Sequence, residues 1–351
     1  MPKARYAETY TFADRPDQEY KLVKKSSISK PKRKQKYKIR NWKEYNDSLV
    51  KRYDINIWIK KGWVEMWEED PITGKRKRKK RGGQAKYTNQ AIECLLTIKY
   101  LFRLPYRGVE GLAHTLLPMM FDRCVNIPDY TTIQRRQKNI NLSIRQSKYK
   151  RKRAIDLVLD STGLKVYGEG EWVVRIHGKS KQRTWKKIHL AINHKTLNIE
   201  ALEVTDNSCG ESQMVKPLLS QIEVPINQIV ADGGYDSEHA YNMFLKRTGN
   251  ILIPVRHDAK YWTKKGEVNQ KHPRDETVRI TRLLGKSRWK TSVGYHKRSL
   301  VETDIYRLKR IFGDALSTRT LDHQKAEIAI KCRMLNKINR LGLPNSYLFA
   351  S

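Results

Sequence analysis

Little in this sequence would staple the chain covalently or carry it through a lipid bilayer. Its 351 residues include only four cysteines, Cys94, Cys124, Cys209 and Cys332, far apart and forming no Cys-x-x-Cys pair. That spacing argues against a zinc knuckle or a disulfide framework and leaves small buried or reduced thiols. No apolar run approaches the ~20 residues that span a bilayer. The start, Met1-Pro-Lys-Ala-Arg-Tyr-Ala-Glu8, lacks the hydrophobic core of a secretory signal, so a cytoplasmic protein with no membrane partner is expected. Acidic residues are also scarce, with Asp+Glu 36 against Lys+Arg 72 and a net charge of +36. A chain so charged repels itself unless a polyanion neutralises it, and nucleic acid is the polyanion that charge and pI together favour.

What is present divides by composition. Residues 1–40 are polar and basic, ending in Lys30-Pro-Lys-Arg-Lys-Gln-Lys-Tyr-Lys38. Such a segment cannot bury enough surface to pack alone and reads as an arm that orders on DNA. Residues 41–147 read as a helical region and 148–345 as a second domain, with the basic linker Lys148-Tyr-Lys-Arg-Lys-Arg153 between them. In the helical region Trp42, Tyr45, Leu49 and Val50 mark a short amphipathic helix. Trp58, Trp63 and Trp67 follow in a more extended segment, where core packing is favoured over base stacking. The block Lys75-Arg-Lys-Arg-Lys-Lys-Arg81, containing Lys77 and Arg78, reads as a phosphate contact without base specificity; a nuclear import tag or solvated loop is the alternative.

Three helices follow. One carries Ala91, Ile92, Leu95, Leu96, Ile98 and Leu101 and stops at Pro105; the next runs from Arg107 to Met119 with Val109, Leu112, Ala113 and Leu116. The third has Asp129, Thr131 and Thr132 as candidate caps and is expected to expose Gln134, Arg135, Arg136, Gln137 and Lys138. A polar, basic third helix predicts a helix-turn-helix-like module that enters a major groove, with a helical bundle and a solvated last helix as the alternative.

After the linker the periodicity changes. Ala154–Asp160 reads as a buried strand with Lys165–Tyr167 as its candidate extension at the edge, followed by strands over Lys186–Ile192 and Ile199–Val204. A helix over Glu211–Ile222, a strand over Gln228–Asp232, a helix capped by Ser237 and a strand over Ile251–Val255 complete an α/β order of the ribonuclease-H-like kind. The segment from His257 to Gly294 is undiagnostic and reads as a connecting insertion.

A later helix has two working faces. Val301, Ile305, Leu308 and Phe312 form a buried stripe, while Tyr295, Arg298, Glu302 and Lys309 share the adjacent face. Asp160 and Asp232 each end a predicted strand, and the intervals are 232 − 160 = 72 and 302 − 232 = 70. Strand-terminal aspartates emerge at one rim when their strands run side by side, so Asp160, Asp232 and Glu302 can converge there. Such oxygen ligands suit Mg²⁺ or Mn²⁺, and two ions roughly 3.5–4 Å apart can serve an in-line displacement at phosphorus. A lone strand-end Asp is usually a turn former; it is the three together that point to chemistry. The glycines of Asp232-Gly-Gly-Tyr-Asp236 permit a tight turn beside the proposed ligand, and Asp236 can cap the following helix. Arg298 and Lys309 flank Glu302 and suit DNA phosphates, whereas packing is the preferred role for His177 and His189.

These residues resemble the DDE transposases of bacterial insertion sequences, most closely the IS-five group. Tyr295, Arg298, Glu302 and Lys309 match the family's late signature in order, and Asp160-Ser-Thr-Gly-Leu-Lys165, Gly168–Trp172, Arg183–His189 and Asp232–Asp236 look like its earlier blocks. Arg40–Asn46 with Leu49–Arg52 looks like its amino-terminal segment. The resemblance implies a ribonuclease-H-like catalytic domain and cleavage of double-stranded DNA at the element's terminal inverted repeats. Joining of the freed 3′ hydroxyls to target DNA would follow, at a site of two Mg²⁺ ions, in a homo-oligomer on nucleoid DNA. An inactive DNA-binding regulator, or a nuclease that does not join strands, is the rival reading.

Overall fold

Two contact units divide the residues that the computed structural model describes, which are 36–68, 86–144, 153–166, 185–263 and 272–349. The smaller unit holds an antiparallel ribbon of β1 (Lys36–Ile39) and β8 (Ser346–Phe349). The end of the expected basic arm is therefore a strand. The rest of that arm, the block with Lys77 and Arg78, most of the 148–153 linker, the 168–172 block, His177 and Arg183 fall outside the described residues.

The larger unit, Asn41–Pro344, begins with helices. Helix α1 (Trp42–Lys51) forms as expected, but Trp42 and Val50 are exposed and Ser48 is its buried residue. The segment read as extended is instead α2 (Ile55–Trp58), which Asp54 caps by accepting from the Asn56 amide, followed by a 3-10 turn over Lys61–Met66. Packing is what its tryptophans do: Trp58 and Trp67 are buried, and their indole N–H groups donate to Arg52 O and Asn126 O, each at 2.7 Å. Helix α3 (Asn89–Leu101), capped by Thr88, is buried nearly all round. The stripe of α4 (Tyr106–Phe121) is Val109, Ala113, Leu117 and Phe121, an i, i+4 series that leaves Leu112 exposed. Asp129 caps α5 (Tyr130–Gln137) through the amides of Thr131 and Thr132.

The strands come next: β2 (Ile155–Val166), β3 (Trp185–Asn193) and β4 (Asn198–Asp206). A 3-10 turn (Glu211–Met214) then leads to α6 (Val215–Ser220), β5 (Ile226–Val230), α7 (Glu238–Leu245) and β6 (Ile251–Leu252). The insertion contains α8 (Pro273–Leu284) and α9 (Lys286–Ser292); α10 (Arg298–Phe312), β7 (Ala315–Leu316) and α11 (Leu321–Leu341) close the unit. The sheet order is β4-β3-β2-β5-β6, with β7 paired to the far end of β2. Strands β2, β3 and β4 are antiparallel neighbours, while β5 and β6 run parallel to β2. This is a mixed α/β fold, with the strand order expected of a ribonuclease-H-like sheet.

Alternation along the central strand gives the sheet two buried faces. Leu157 and Leu159 point into a cluster with Val215, Leu218, Tyr241 and Phe244. Val158 and Leu164 point the other way, into a cluster that contains the expected α10 stripe of Val301, Ile305, Leu308 and Phe312. That second cluster also takes in α3 and α11, so the amino-terminal helices and the sheet share one core. Cys94 and Cys332 are buried within it as free thiols, Cys209 is half-buried and Cys124 is exposed, also free. Among the described residues no helix is long and apolar enough to cross a membrane.

Candidate active site

Asp160 does not end its strand. Strand β2 continues to Val166 because β3 stays paired with it as far as Lys165↔Trp185 and β7 adds Lys165↔Ala315. What ends is the parallel pairing with β5, whose last register pair is Val158↔Val230. Asp160 and Asp232 each lie two residues past that pair, since 160 − 158 = 232 − 230 = 2. Equal steps past one register pair bring the two aspartates to the same rim. Asp160 faces the α10 side of the sheet, and Asp232 leaves β5 to cap a 3-10 turn over Gly233–Tyr235 by accepting from the Gly234 amide at 2.8 Å.

Helix α10 brings the third carboxylate through Arg298. The guanidinium donates to Glu302 Oε1 from Nη1 at 2.5 Å and to Asp160 Oδ1 from Nη2 at 3.2 Å, and the same Nη2 lies 3.9 Å from Asp232 Oδ2. One cation thus touches all three acidic residues that the sequence singles out. Burial pushes the Asp160 carboxyl above its ordinary pKa against the pull of Arg298, and burial and then the Glu211 carboxylate do the same to Asp232. Glu302 is the solvent-facing member, with a side chain 54% exposed.

Tyr295 takes a place that the DNA-contact reading did not foresee. It lies in a 3-10 turn ahead of α10, 6% exposed, and its hydroxyl donates to Ala231 O at 3.0 Å. The ring packs against Trp289, so Tyr295 ties the start of α10 to the backbone just before Asp232 and is not a surface contact. Lys309 is half-buried further along α10; burial lowers its pKa, opposed by Asp314 and reinforced by Lys165. Asp236 does not cap the next helix, a task Ser237 performs. Its carboxylate instead accepts from Arg274 Nε at 2.7 Å, which anchors α8 of the insertion beside the site. His189 is fully buried, as the packing reading expects.

On α5 the structure separates the expected contacts. Gln134, Arg135 and Lys138 are exposed, whereas Arg136 is held by Tyr87 O at 3.0 Å and Asn89 Oδ1 at 2.8 Å. Gln137, expected on the exposed face, is fully buried: one turn beyond Ile133, it accepts from the Tyr106 hydroxyl at 2.5 Å and donates to His323 O at 2.8 Å.

A fourth carboxylate joins the rim unforeseen. Glu211 accepts from Ser161 Oγ at 2.5 Å and lies 3.0 Å from Lys187 Nζ. Burial works to raise its pKa, but the Ser161 hydroxyl and the Lys187 ammonium outweigh it and hold the pKa down. Nothing in the spacing marks Glu211, which reads as the first residue of a helix. Only the pairing of β2 with β3 sets Ser161 and Lys187 where they can receive it.

Four acidic side chains, Asp160, Asp232, Glu302 and Glu211, thus gather at the rim with two basic ones, Arg298 and Lys187. That local excess of acid, in a chain of net charge +36, suits a hard divalent cation. Beside it the Tyr235 hydroxyl is buried without a partner. As the side chains stand, no three His, Cys, Asp or Glu groups among the described residues enclose a metal position. The Arg298 guanidinium lies between the acids.

Among solved structures, the chain is similar to the piggyBac transposase synaptic complex with hairpin DNA, at 13% identity, 83% of this chain, 73% of that one and a TM-score of 0.39. It is also similar to the Drosophila P element transposase strand transfer complex, at 10% identity over 73% of this chain and 80% of that one, with a TM-score of 0.27. Family models are far more specific. Residues 50–169 match one described as a transposase DDE domain, and residues 151–337, more than half of the chain, match a second with the same description. With acidic residues of both kinds gathered at one rim inside the second match, the chain belongs to the DDE transposases, enzymes that cut and transfer DNA strands.

Proposed function

We propose that this chain is the transposase of a bacterial insertion sequence of the IS-five group, acting in the cytoplasm on nucleoid DNA. It binds the terminal inverted repeats of its element, frees their 3′ ends and joins them to target DNA as a homo-oligomer. Residues 148–345 form the catalytic part in this reading and residues 41–147 the DNA-binding part, with exposed Gln134, Arg135 and Lys138 of α5 facing the duplex. The observation that carries the proposal is the meeting of Asp160, Asp232 and Glu302 on one guanidinium.

Asp160, Asp232 and Glu302 are the residues that would hold Mg²⁺ or Mn²⁺, two ions per site. Bound there, the ions supply a more acidic attacking hydroxyl and charge compensation at the leaving oxygen. The protein's own part is orientation. Tyr295 fixes the start of α10 against the strand that delivers Asp232, and Arg298 keeps the acids together until DNA arrives. In the first step water attacks phosphorus, the P–O3′ bond breaks, and the 3′ oxygen leaves as a hydroxyl. In the second, that hydroxyl attacks a target phosphodiester and its P–O3′ bond breaks in turn. Both steps reuse one arrangement and need no protein nucleophile. In this reading Lys309, with Lys165 near it, meets backbone phosphate along the same helix.

The test is a cleavage assay on DNA carrying the element's ends. Asp160→Asn, Asp232→Asn and Glu302→Gln should each lower strand cleavage by roughly a thousandfold or more, with DNA affinity nearly unchanged. Retained cleavage in any of the three refutes the assignment.

A further inference from the structure

Glu211 approaches the rim from the face of the sheet opposite α10. It begins the 3-10 turn after β4, its carboxylate is held by Ser161 of β2 and by Lys187 of β3, and its Oε2 lies against the Gly234 turn that follows Asp232. Ser161 is the residue next to Asp160, so one side chain connects the strands that deliver both aspartates. The turn after Asp232 is shaped to admit it. A Cβ added at Gly234 would collide with Glu211 Oε2, so glycine is what leaves the carboxylate room to reach Asp232.

We infer that Glu211 is a positioning residue for Asp232: tethered to Ser161 and Lys187, it fixes the orientation of the Asp232 carboxylate relative to Asp160 and thereby sets how tightly the site binds a divalent cation. The inference rests on the reading of Asp160, Asp232 and Glu302 as the cation ligands. Arg298 already reaches Asp160 and Glu302 by hydrogen bonds but comes only to 3.9 Å of Asp232. Asp232 is oriented by the Gly234 amide, and Glu211 Oε2 packs against that same turn beside the Asp232 carboxylate. Groups that orient a metal-binding carboxylate change affinity through geometry, without touching the ion.

The experiment is a Mn²⁺ titration of the full chain without DNA, read by the electron paramagnetic resonance of free Mn²⁺, alongside the melting temperature in chelator as a check on folding. Glu211→Ala should weaken Mn²⁺ binding by about tenfold to a hundredfold. Gly234→Ala, which keeps every carboxylate but displaces Glu211, should weaken it by a similar factor. Glu211→Gln, whose amide can still accept from Ser161 and donate to Asp232, should stay within about threefold of the parent, because a geometric role survives loss of the charge. An Ala variant that binds as tightly as the parent overturns the inference, and so does a Gln variant as weak as the Ala variant. The Asp160→Asn protein separates the two levels. If it binds Mn²⁺ as well as the parent, the cation-site reading fails and takes the inference with it. If it binds weakly while Glu211→Ala does not, only the inference fails.

Discussion

Arg298 Nη2 donates to Asp160 Oδ1 at 3.2 Å across 138 positions of sequence. The same guanidinium holds Glu302 one turn along its own helix, so the apparent partner of DNA phosphate is also an internal counter-ion for the acids. Local geometry explains the second contact, since Arg298 and Glu302 are i, i+4 on α10. The first contact belongs to tertiary packing.

Replacing Arg298 should therefore cost stability in a way that depends on metal. Arg298→Ala leaves the buried Asp160 carboxylate without its cation, and the loss should be about 1–3 kcal/mol, below the value for a fully buried pair because the guanidinium is 21% exposed. Mg²⁺ should restore part of that loss. Urea unfolding with Mg²⁺ and with chelator checks this, and equal losses in the two buffers would count against the cation site.

Gln137 and Gln134 should behave oppositely despite being one turn apart. Gln137→Leu leaves the partly buried Tyr106 hydroxyl without its acceptor and should destabilise by about 1–3 kcal/mol. Gln134→Ala, on the exposed face, should change stability by no more than about 0.5 kcal/mol. Denaturant midpoints measured side by side decide it; comparable destabilisation by the two would contradict the burial of Gln137.

Asp304 gives a pH signature. It is fully buried in α10, and burial raises its pKa to about 6 although Arg307 Nη1 at 3.2 Å and Asn339 Nδ2 at 3.1 Å pull it down. With the folded pKa above the unfolded one, the folded state holds the proton more tightly. The contribution to stability is full below pH ~4 and lost as pH rises through about 6, by no more than ~3 kcal/mol. Unfolding free energies between pH 4 and 7 should show this decline in the parent relative to Asp304→Asn, and parallel profiles for the two proteins would remove the claim.

DNA affinity should fall steeply with salt, because phosphate neutralisation releases counter-ions. Arg135→Ala and Lys138→Ala should each reduce the log–log salt slope by about 1. Arg136→Ala should act mainly on folding, since its guanidinium is spent on Tyr87 O and Asn89 Oδ1. Fluorescence anisotropy from low to moderate salt measures the slopes; a flat response in the parent would remove the electrostatic basis of binding.

Much of the fold was legible because its signals are local. The stripe Val301, Ile305, Leu308 and Phe312 is buried as its spacing requires, and Asp129 and Ser237 cap helices as their side-chain chemistry dictates. The insertion was opaque because α8 is held by long-range partners such as Asp236, which no periodicity announces. The buried amide of Gln137 escaped for the same reason, since its partners, Tyr106 and His323, lie on other elements.

By itself the sequence determined the charge that calls for a polyanion, the order of the main strands of the sheet, and the identity of Asp160, Asp232 and Glu302 as the acids worth watching. Folding decided that β2 runs on past Asp160, that Tyr295 faces inward, and that Glu211 and Arg298 complete the rim. Periodicity and capping are written within a few residues of chain, whereas the partner of a buried charge is chosen by strand register and helix packing across many tens of residues.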